Sequence, residues 1–120
     1  METPKYFADR RRFPRIWIYL PLGYQTKHTP KARGGVVIDA SETGFHIYST
    51  EDIPIGTKLK IAVLFPSEYE LVNFEVFAEI IWKKVSVERG GKGYQYGLKF
   101  IQISEEDDRK LRKLLSGRSE

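Results

Sequence analysis

Four arginines with the chemistry to bind an anion stand near the start of the chain, at Arg10, Arg11, Arg12 and Arg15. Pro14 disfavours the helical region for the residue before it, so this stretch is predicted to be extended. In an extended chain Arg11 and Arg15 lie on the same side, with α-carbons roughly 13 Å apart. Their guanidinium groups can converge on one phosphate-bearing ligand, and guanidinium also pairs with the O6/N7 edge of guanine. The alternative is a solvated basic arm.

A second polar cluster, residues 39–44 with the sequence DASETG, lies between two predicted strands. Asp39 and Ser41 can hydrogen-bond the backbone amides of a tight turn, and Gly44 permits a positive φ. The same residue types also suit recognition. Asp39 can accept the N1 and N2 hydrogens of guanine, and the Ser41 hydroxyl can donate to a phosphate. The turn taken alone leaves both interpretations open.

Trp82 is the aromatic candidate for stacking on a flat ligand, since every nucleobase offers a π-face. Trp82 also continues the alternating apolar face that includes Ile80, which predicts a core position. Both alternatives stay open from the sequence.

Other chemistries find no support in the residue types. The chain has no Cys, which excludes disulfides, thiolate nucleophiles and cysteine zinc sites. His28 and His46 are isolated, so we expect no metal site, and His46 is expected to face outward between core residues. No nucleophile–His–carboxylate order or pair of carboxylates at a cleft is recognisable. We therefore expect a binding protein without a cofactor, not an enzyme.

The elements that must position these residues are mostly strands. Alternating apolar residues predict six short strands, centred on residues 16–20, 36–38, 45–48, 59–63, 74–82 and 94–100. Pro21 either ends the first apolar run or marks an edge. Ser104 with Asp107 resembles a capping pattern, and a Leu stripe follows, which predicts a helix over about 104–117. We expect an all-β, six-stranded antiparallel barrel sealed by this helix.

Length and charge agree with a single binding domain. The chain has 120 residues, with 20 Lys and Arg against 16 Asp and Glu and a net charge of +4. This mild basic bias indicates an anionic partner. The start has no apolar signal region and no apolar run is long enough to cross a bilayer, so we expect a cytoplasmic location without membrane insertion.

Together, the two polar motifs resemble those of the PilZ family, the bacterial receptor domains for the second messenger cyclic di-GMP. The RxxxR motif of that family stands at Arg11 to Arg15, with Arg10 before it, and the [D/N]xSxxG motif stands at residues 39–44. The resemblance continues through residues 55–59, 80–82 and 96–100 to the closing helix, and so covers nearly the whole chain. The clearest local departure is Pro14, inside the first motif.

The resemblance implies a PilZ-like barrel of split-barrel, Greek-key type over residues 16–120, with a flexible arm of residues 1–15 that folds over the nucleotide. It implies that Arg11 and Arg15 grip guanine and phosphate, that Asp39 and Ser41 meet a guanine edge, and that Gly44 shapes the turn. An Arg at position 10 goes, in this family, with an intercalated ligand dimer, so we expect two ligands per domain. It also implies a protein effector in motility, exopolysaccharide or biofilm control, and we expect a monomer.

Two other functions remain as alternatives. A small β-barrel with exposed aromatics and basic patches can bind single-stranded nucleic acid, although the modest net charge and the lack of a stacking row argue against it. A ligand-blind adaptor of the same fold is the other, but such members usually lack the two motifs that are intact here.

Overall fold

Six strands and one helix make up the part of the chain that the computed structural model describes, residues 15–28, 31–67, 69–88 and 91–118. The elements are β1 (Ile16–Gln25), β2 (Arg33–Ala40), β3 (Gly44–Ser49), β4 (Lys58–Ser67), β5 (Glu70–Glu88), β6 (Gly91–Gln102) and α1 (Glu105–Arg118). The expected arm, apart from Arg15, lies outside the described residues, and with it lie Arg10 and Arg11.

The strands close into one antiparallel barrel in the order β1-β2-β3-β6-β5-β4. Strand β1 completes the ring, because it pairs with β2 along most of its length and with β4 from Leu22 to Gln25. The predicted six-stranded antiparallel barrel is confirmed. Strand β1 does not end at Pro21, which pairs with Val36 of β2 and precedes the stretch paired with β4. Pro21 therefore lies at an edge only on the β4 side, just before the stretch that pairs with β4, while it pairs with β2 on the other side.

The inward-facing side chains fill the barrel. Alternation along each strand sends every second residue inward, and burial of these apolar side chains drives folding. The most deeply buried include Val37, Phe45, Ile47, Leu59, Ile61, Val63, Phe74, Val76, Ala78, Ile80 and Tyr96. The outward-facing residues of the same strands form the outer wall of the barrel.

Four register shifts between paired strands mark β-bulges or irregularities, and those in β2 and at Ile81 of β5 change which side chains face outward. In β1 the register with β2 shifts between Trp17 and Leu20. In β2 the register with β3 shifts between Val37 and Asp39. In the β5–β6 pair the register shifts between Phe77 and Ala78 and again between Ile80 and Trp82. An extra residue re-aims the side chains that follow it, so the buried Val37 and Ile80 are each followed, two positions later, by a residue of the outer face.

Helix α1 closes the barrel beside β1 and β5. The Ser104 hydroxyl accepts a hydrogen bond from the amide of Asp107 at 3.1 Å, which caps the first turn. Leu111, Leu114 and Leu115 all join the buried core. The helix thus begins one residue after the predicted start. No helix in the described ranges has the length and apolar character needed to cross a membrane.

Candidate functional site

The two sequence motifs meet at the guanidinium of Arg15. Its Nε donates to Oδ1 of Asp39 at 2.5 Å, its Nη1 contacts Oγ of Ser41 at 3.4 Å, and its Nη2 contacts the carbonyl oxygen of Gly44 at 3.4 Å. Arg15 comes directly before β1, and β1 pairs with β2, which carries Asp39 at its end. Strand pairing therefore brings together residues 24 or more positions apart.

The carboxylate of Asp39 is held from both sides. Its Oδ1 accepts from Arg15, and its Oδ2 lies 2.9 Å from Nδ1 of His46. The other ring nitrogen of His46 lies 2.7 Å from the side-chain oxygen of Gln95 on β6. The side chain of Asp39 is only 8% exposed, whereas that of Arg15 is 46% exposed. A buried carboxylate with two hydrogen-bond partners is held in a fixed position as an acceptor. The half-exposed guanidinium beside it can reach solvent.

The turn between β2 and β3 is fixed by Ser41. Its amide donates to the carbonyl of Gly44 at 3.0 Å, and its hydroxyl accepts from the amide of Thr43 at 3.2 Å. The predicted turn-forming role of Ser41 is therefore observed, while the carboxylate of Asp39 bonds Arg15 and His46 instead of fixing the turn.

Gly44 is needed for a different reason from the one expected. A positive φ occurs only at Gly56 and Gly91 among the described glycines, so the predicted positive φ at Gly44 is wrong. A Cβ on Gly44 would instead lie 2.1 Å from the backbone oxygen of Leu98 on β6. The close approach of β3 to β6, not the turn conformation, requires glycine at this position.

Trp82 lies on the outer wall of the barrel and is 41% exposed. The bulge at Ile81 takes it off the inward face that includes Ile80, so the alternative of a core position is wrong. The indole lies over Gly97, where a Cβ would come within 2.0 Å of its Nε1, and its ring centroid is 5.4 Å from that of His46.

The site runs as a single row across the outside of five strands. Strand register pairs Trp17 with Asp39, Asp39 with His46, His46 with Gly97 and Gly97 with Trp82. We call these five positions the outer row. It combines a fixed carboxylate, an adjacent guanidinium and exposed aromatic faces, which suits a planar ligand with both hydrogen-bond donors and negative charge.

The sequence did not single out His46 or Gln95 as site residues. His46 was correctly expected on the outer face, two positions after Gly44. That position points it to the same side as Asp39 only because β2 carries a bulge, which the sequence pattern does not reveal. Within the described ranges, no cluster of three or more His, Cys, Asp or Glu side chains that could hold a metal ion is present.

Comparison with known proteins identifies the family. The PilZ domain model matches residues 9–117. The fold is similar to that of the inhibitor of motility MotI/DgrA from Bacillus subtilis, with a TM-score of 0.73, 16% identity and coverage of 92% of this chain and 51% of that one. It is also similar to the PilZ domain of YcgR from Escherichia coli, solved with c-di-GMP, with a TM-score of 0.67, 14% identity and 92% of both chains covered.

A third similar structure is Borreliella burgdorferi PlzA in complex with c-di-GMP, with a TM-score of 0.63, 12% identity and coverage of 100% of this chain and 59% of that one. The chain thus spans about half the length of the B. subtilis protein and nearly all of the E. coli domain. Among curated proteins, no match was found. Because the family model matches residues 9–117, which is most of the sequence, the chain belongs to the PilZ domain family.

Proposed function

We propose that this domain is a receptor for cyclic di-GMP. The observation that carries the proposal is the contact of the Arg15 guanidinium with Asp39, Ser41 and Gly44, because it joins the two motifs into one polar site on the outer wall. Two of the similar structures, the YcgR domain and PlzA, were solved with this nucleotide, which adds support.

The ligand and the site are chemically complementary. Cyclic di-GMP carries two phosphate charges and two guanines, and guanidinium can pair with either group. Asp39, fixed by two partners, is the acceptor for the N1 and N2 hydrogens of guanine, and Trp82 offers an exposed face for stacking. Arg10 and Arg11, which lie outside the described residues, supply further positive charge in this proposal.

Binding is proposed to order residues 1–15 over the ligand. Ordering such a segment costs conformational entropy, which lowers the net affinity and couples binding to a change of surface. A protein effector would read that surface. Because Arg10 precedes the first motif, we propose two ligands per domain, a ratio that calorimetry reports directly.

Isothermal titration calorimetry with cyclic di-GMP tests the proposal. The wild type should bind, and Arg15→Ala should bind at least about tenfold more weakly, since hydrogen bonds to charged groups are worth about 1.5–3 kcal/mol. Arg15→Lys keeps the charge beside Asp39 but loses the planar fork, so it should also bind more weakly.

Arg33→Ala is the matched control. Its side chain is 46% exposed, like that of Arg15, and it pairs with Glu51 at 3.0 Å, but it lies at the opposite end of β2 from Asp39. Arg33→Ala should bind as the wild type does. The proposal would be contradicted if the wild type did not bind cyclic di-GMP but bound oligonucleotides with an affinity that falls steeply with salt concentration. That result would favour a general nucleic-acid binder.

A further inference from the structure

Two solvent-exposed aromatic rings on β1 are stacked on each other. Trp17 and Tyr19 are 61% and 63% exposed, their ring centroids are 5.8 Å apart, and their planes differ by 9°. Near-parallel planes at this separation form an offset stack. The phenol ring therefore supports the indole on one side and leaves the rest of the indole uncovered.

The backbone under this pair adopts an unusual conformation. Tyr19 has a φ of 49°, and it is the only non-glycine among the described residues with a positive φ. It lies within the β1 bulge between Trp17 and Leu20. The left-handed region disfavours a bulky side chain, and such conformations cluster where a protein holds a side chain for a ligand. Bulges also re-aim side chains and are frequent beside binding sites.

The pair adjoins the polar site. Trp17 is directly opposite Asp39 in the β1–β2 register and stands two residues after Arg15, so it begins the outer row that Trp82 ends. The Arg15–Asp39 ion pair thus has an exposed tryptophan on each side of it along the outer wall. Trp17 and Tyr19 are the second and fourth residues after Arg15.

We propose that Trp17, held in place by Tyr19, stacks on a purine base of the nucleotide bound at Arg15 and Asp39, so that the site has two aromatic walls. This inference rests on the proposed function. A purine fits better than an apolar peptide, because the neighbouring groups are a fixed carboxylate and a guanidinium that require hydrogen-bonding partners. A flat base with polar edges satisfies those groups and covers the indole in one step.

Single-tryptophan proteins test the contact directly. The chain has two tryptophans, so Trp82→Phe leaves Trp17 as the only one and Trp17→Phe leaves Trp82. In the Trp82→Phe protein, titration with cyclic di-GMP should quench the fluorescence emission of Trp17. The Kd fitted to this quenching should equal the Kd that calorimetry gives for the same variant.

Affinity measurements complete the test. Trp17→Ala should weaken cyclic di-GMP binding by about 5- to 150-fold, the range for loss of one base–aromatic stack. Tyr19→Gly should preserve the bulge, because glycine readily adopts the left-handed region, yet weaken binding by freeing the indole. Phe77→Ala removes an aromatic that is 45% exposed on β5 and outside the outer row, and should bind like the wild type.

The outcomes separate this inference from the proposed function. If the wild type binds and Trp17→Ala loses less than about fivefold in affinity, the stacking inference is overturned while the receptor function stands. Unchanged emission from Trp17 at saturation would overturn it equally, and would leave the aromatic pair for a protein partner. A wild type that does not bind cyclic di-GMP overturns both.

Discussion

The guanidinium of Arg15 uses three of its N–H groups on partners in the described part of the chain, and a guanidinium has five. Its bond to Asp39 is short, whereas the contacts with Ser41 and Gly44 are both 3.4 Å, longer than usual hydrogen bonds. Among the described residues, Arg15 thus has one firm anchor and two weak contacts, and two of its N–H groups have no partner there. It can stay attached to Asp39 while it turns its outer edge to a phosphate or a guanine.

Gly44 provides a prediction at the same scale. Gly44→Ala should destabilise the fold by about 1–3 kcal/mol, because the added methyl group would overlap the Leu98 carbonyl and push β3 away from β6. Urea unfolding followed by circular dichroism measures the change. Gly34→Ala on β2 is the control, since a Cβ there would meet nothing within 4 Å. Equal stability of the two variants would contradict the close-approach explanation for Gly44.

At the scale of elements, bulges decide what the outer wall carries. Alternation in the sequence predicted the six strands and the inward positions of Phe45, Ile47 and Ile80, because side-chain period alone determines these. It placed Trp82 in line with Ile80, and the bulge at Ile81 makes that placement wrong. One extra residue moves every side chain that follows it to the opposite face of the strand. No residue type in these strands indicates where such an insertion occurs.

The site was predictable to the extent that it depends on motifs. Arg15, Asp39, Ser41 and Gly44 were named from their spacing, and the structure brings these four together. His46 and Gln95 have no recognisable spacing relative to Asp39, since they approach it through the β2–β3 and β3–β6 pairings. The pairing partners and registers that determine such contacts are long-range, so a local pattern does not contain them.

The loop between β3 and β4 is another element that the barrel holds in place, and it yields a pH prediction. Lys83 of β5 forms an ion pair with Asp52 in this loop. The hydrogen bond from Lys83 lowers the pKa of Asp52 below its ordinary value of 3.8, and the same bond raises the pKa of Lys83. A carboxyl group whose pKa is lowered by folding stabilises the fold at every pH above its ordinary pKa. That stabilisation is lost as the pH falls through the lowered pKa of the folded state.

Asp52→Asn should therefore lower the melting temperature near neutral pH, and the difference from wild type should vanish as the pH falls well below about 4. Thermal melts of both proteins across that range measure it. In a Lys83→Gln background, Asp52→Asn should no longer show this pH dependence. A difference that persists unchanged at the acid end would contradict the assignment of the ion pair.

At the scale of the whole molecule, helix α1 connects the core to the β2–β3 turn. Leu111 is fully buried at the barrel end, while Arg112, the next residue, bonds Asp108 and pairs with Glu42 in the β2–β3 turn at 3.3 Å. The bond to Asp108 and the charge of Glu42 raise the pKa of Arg112, which stays charged at all physiological pH values. One helix thus contributes to stability through its inner face and contacts the motif turn through its outer face.

Leu111→Ala should cost about 2–5 kcal/mol of unfolding free energy, because it opens a cavity where the helix seals the barrel. Chemical denaturation should show an earlier midpoint. Lys113→Ala, at an exposed position of the same helix, should stay within about 0.5 kcal/mol of the wild type. A mild effect at Leu111 would mean that the barrel is stable without its helical seal.

The separation of the two faces of β2 and β3 has a practical consequence for protein engineering. Val37, Ala40, Phe45 and Ile47 point into the core, whereas Asp39 and His46 belong to the outer row. A library that randomises His46, Trp82 and Trp17 while leaving the inward residues untouched would sample new ligand preferences on an unchanged scaffold. Under the proposed receptor function, variants selective for other cyclic nucleotides, and fluorescent biosensors made from such variants, can be sought without redesigning the interior of the domain.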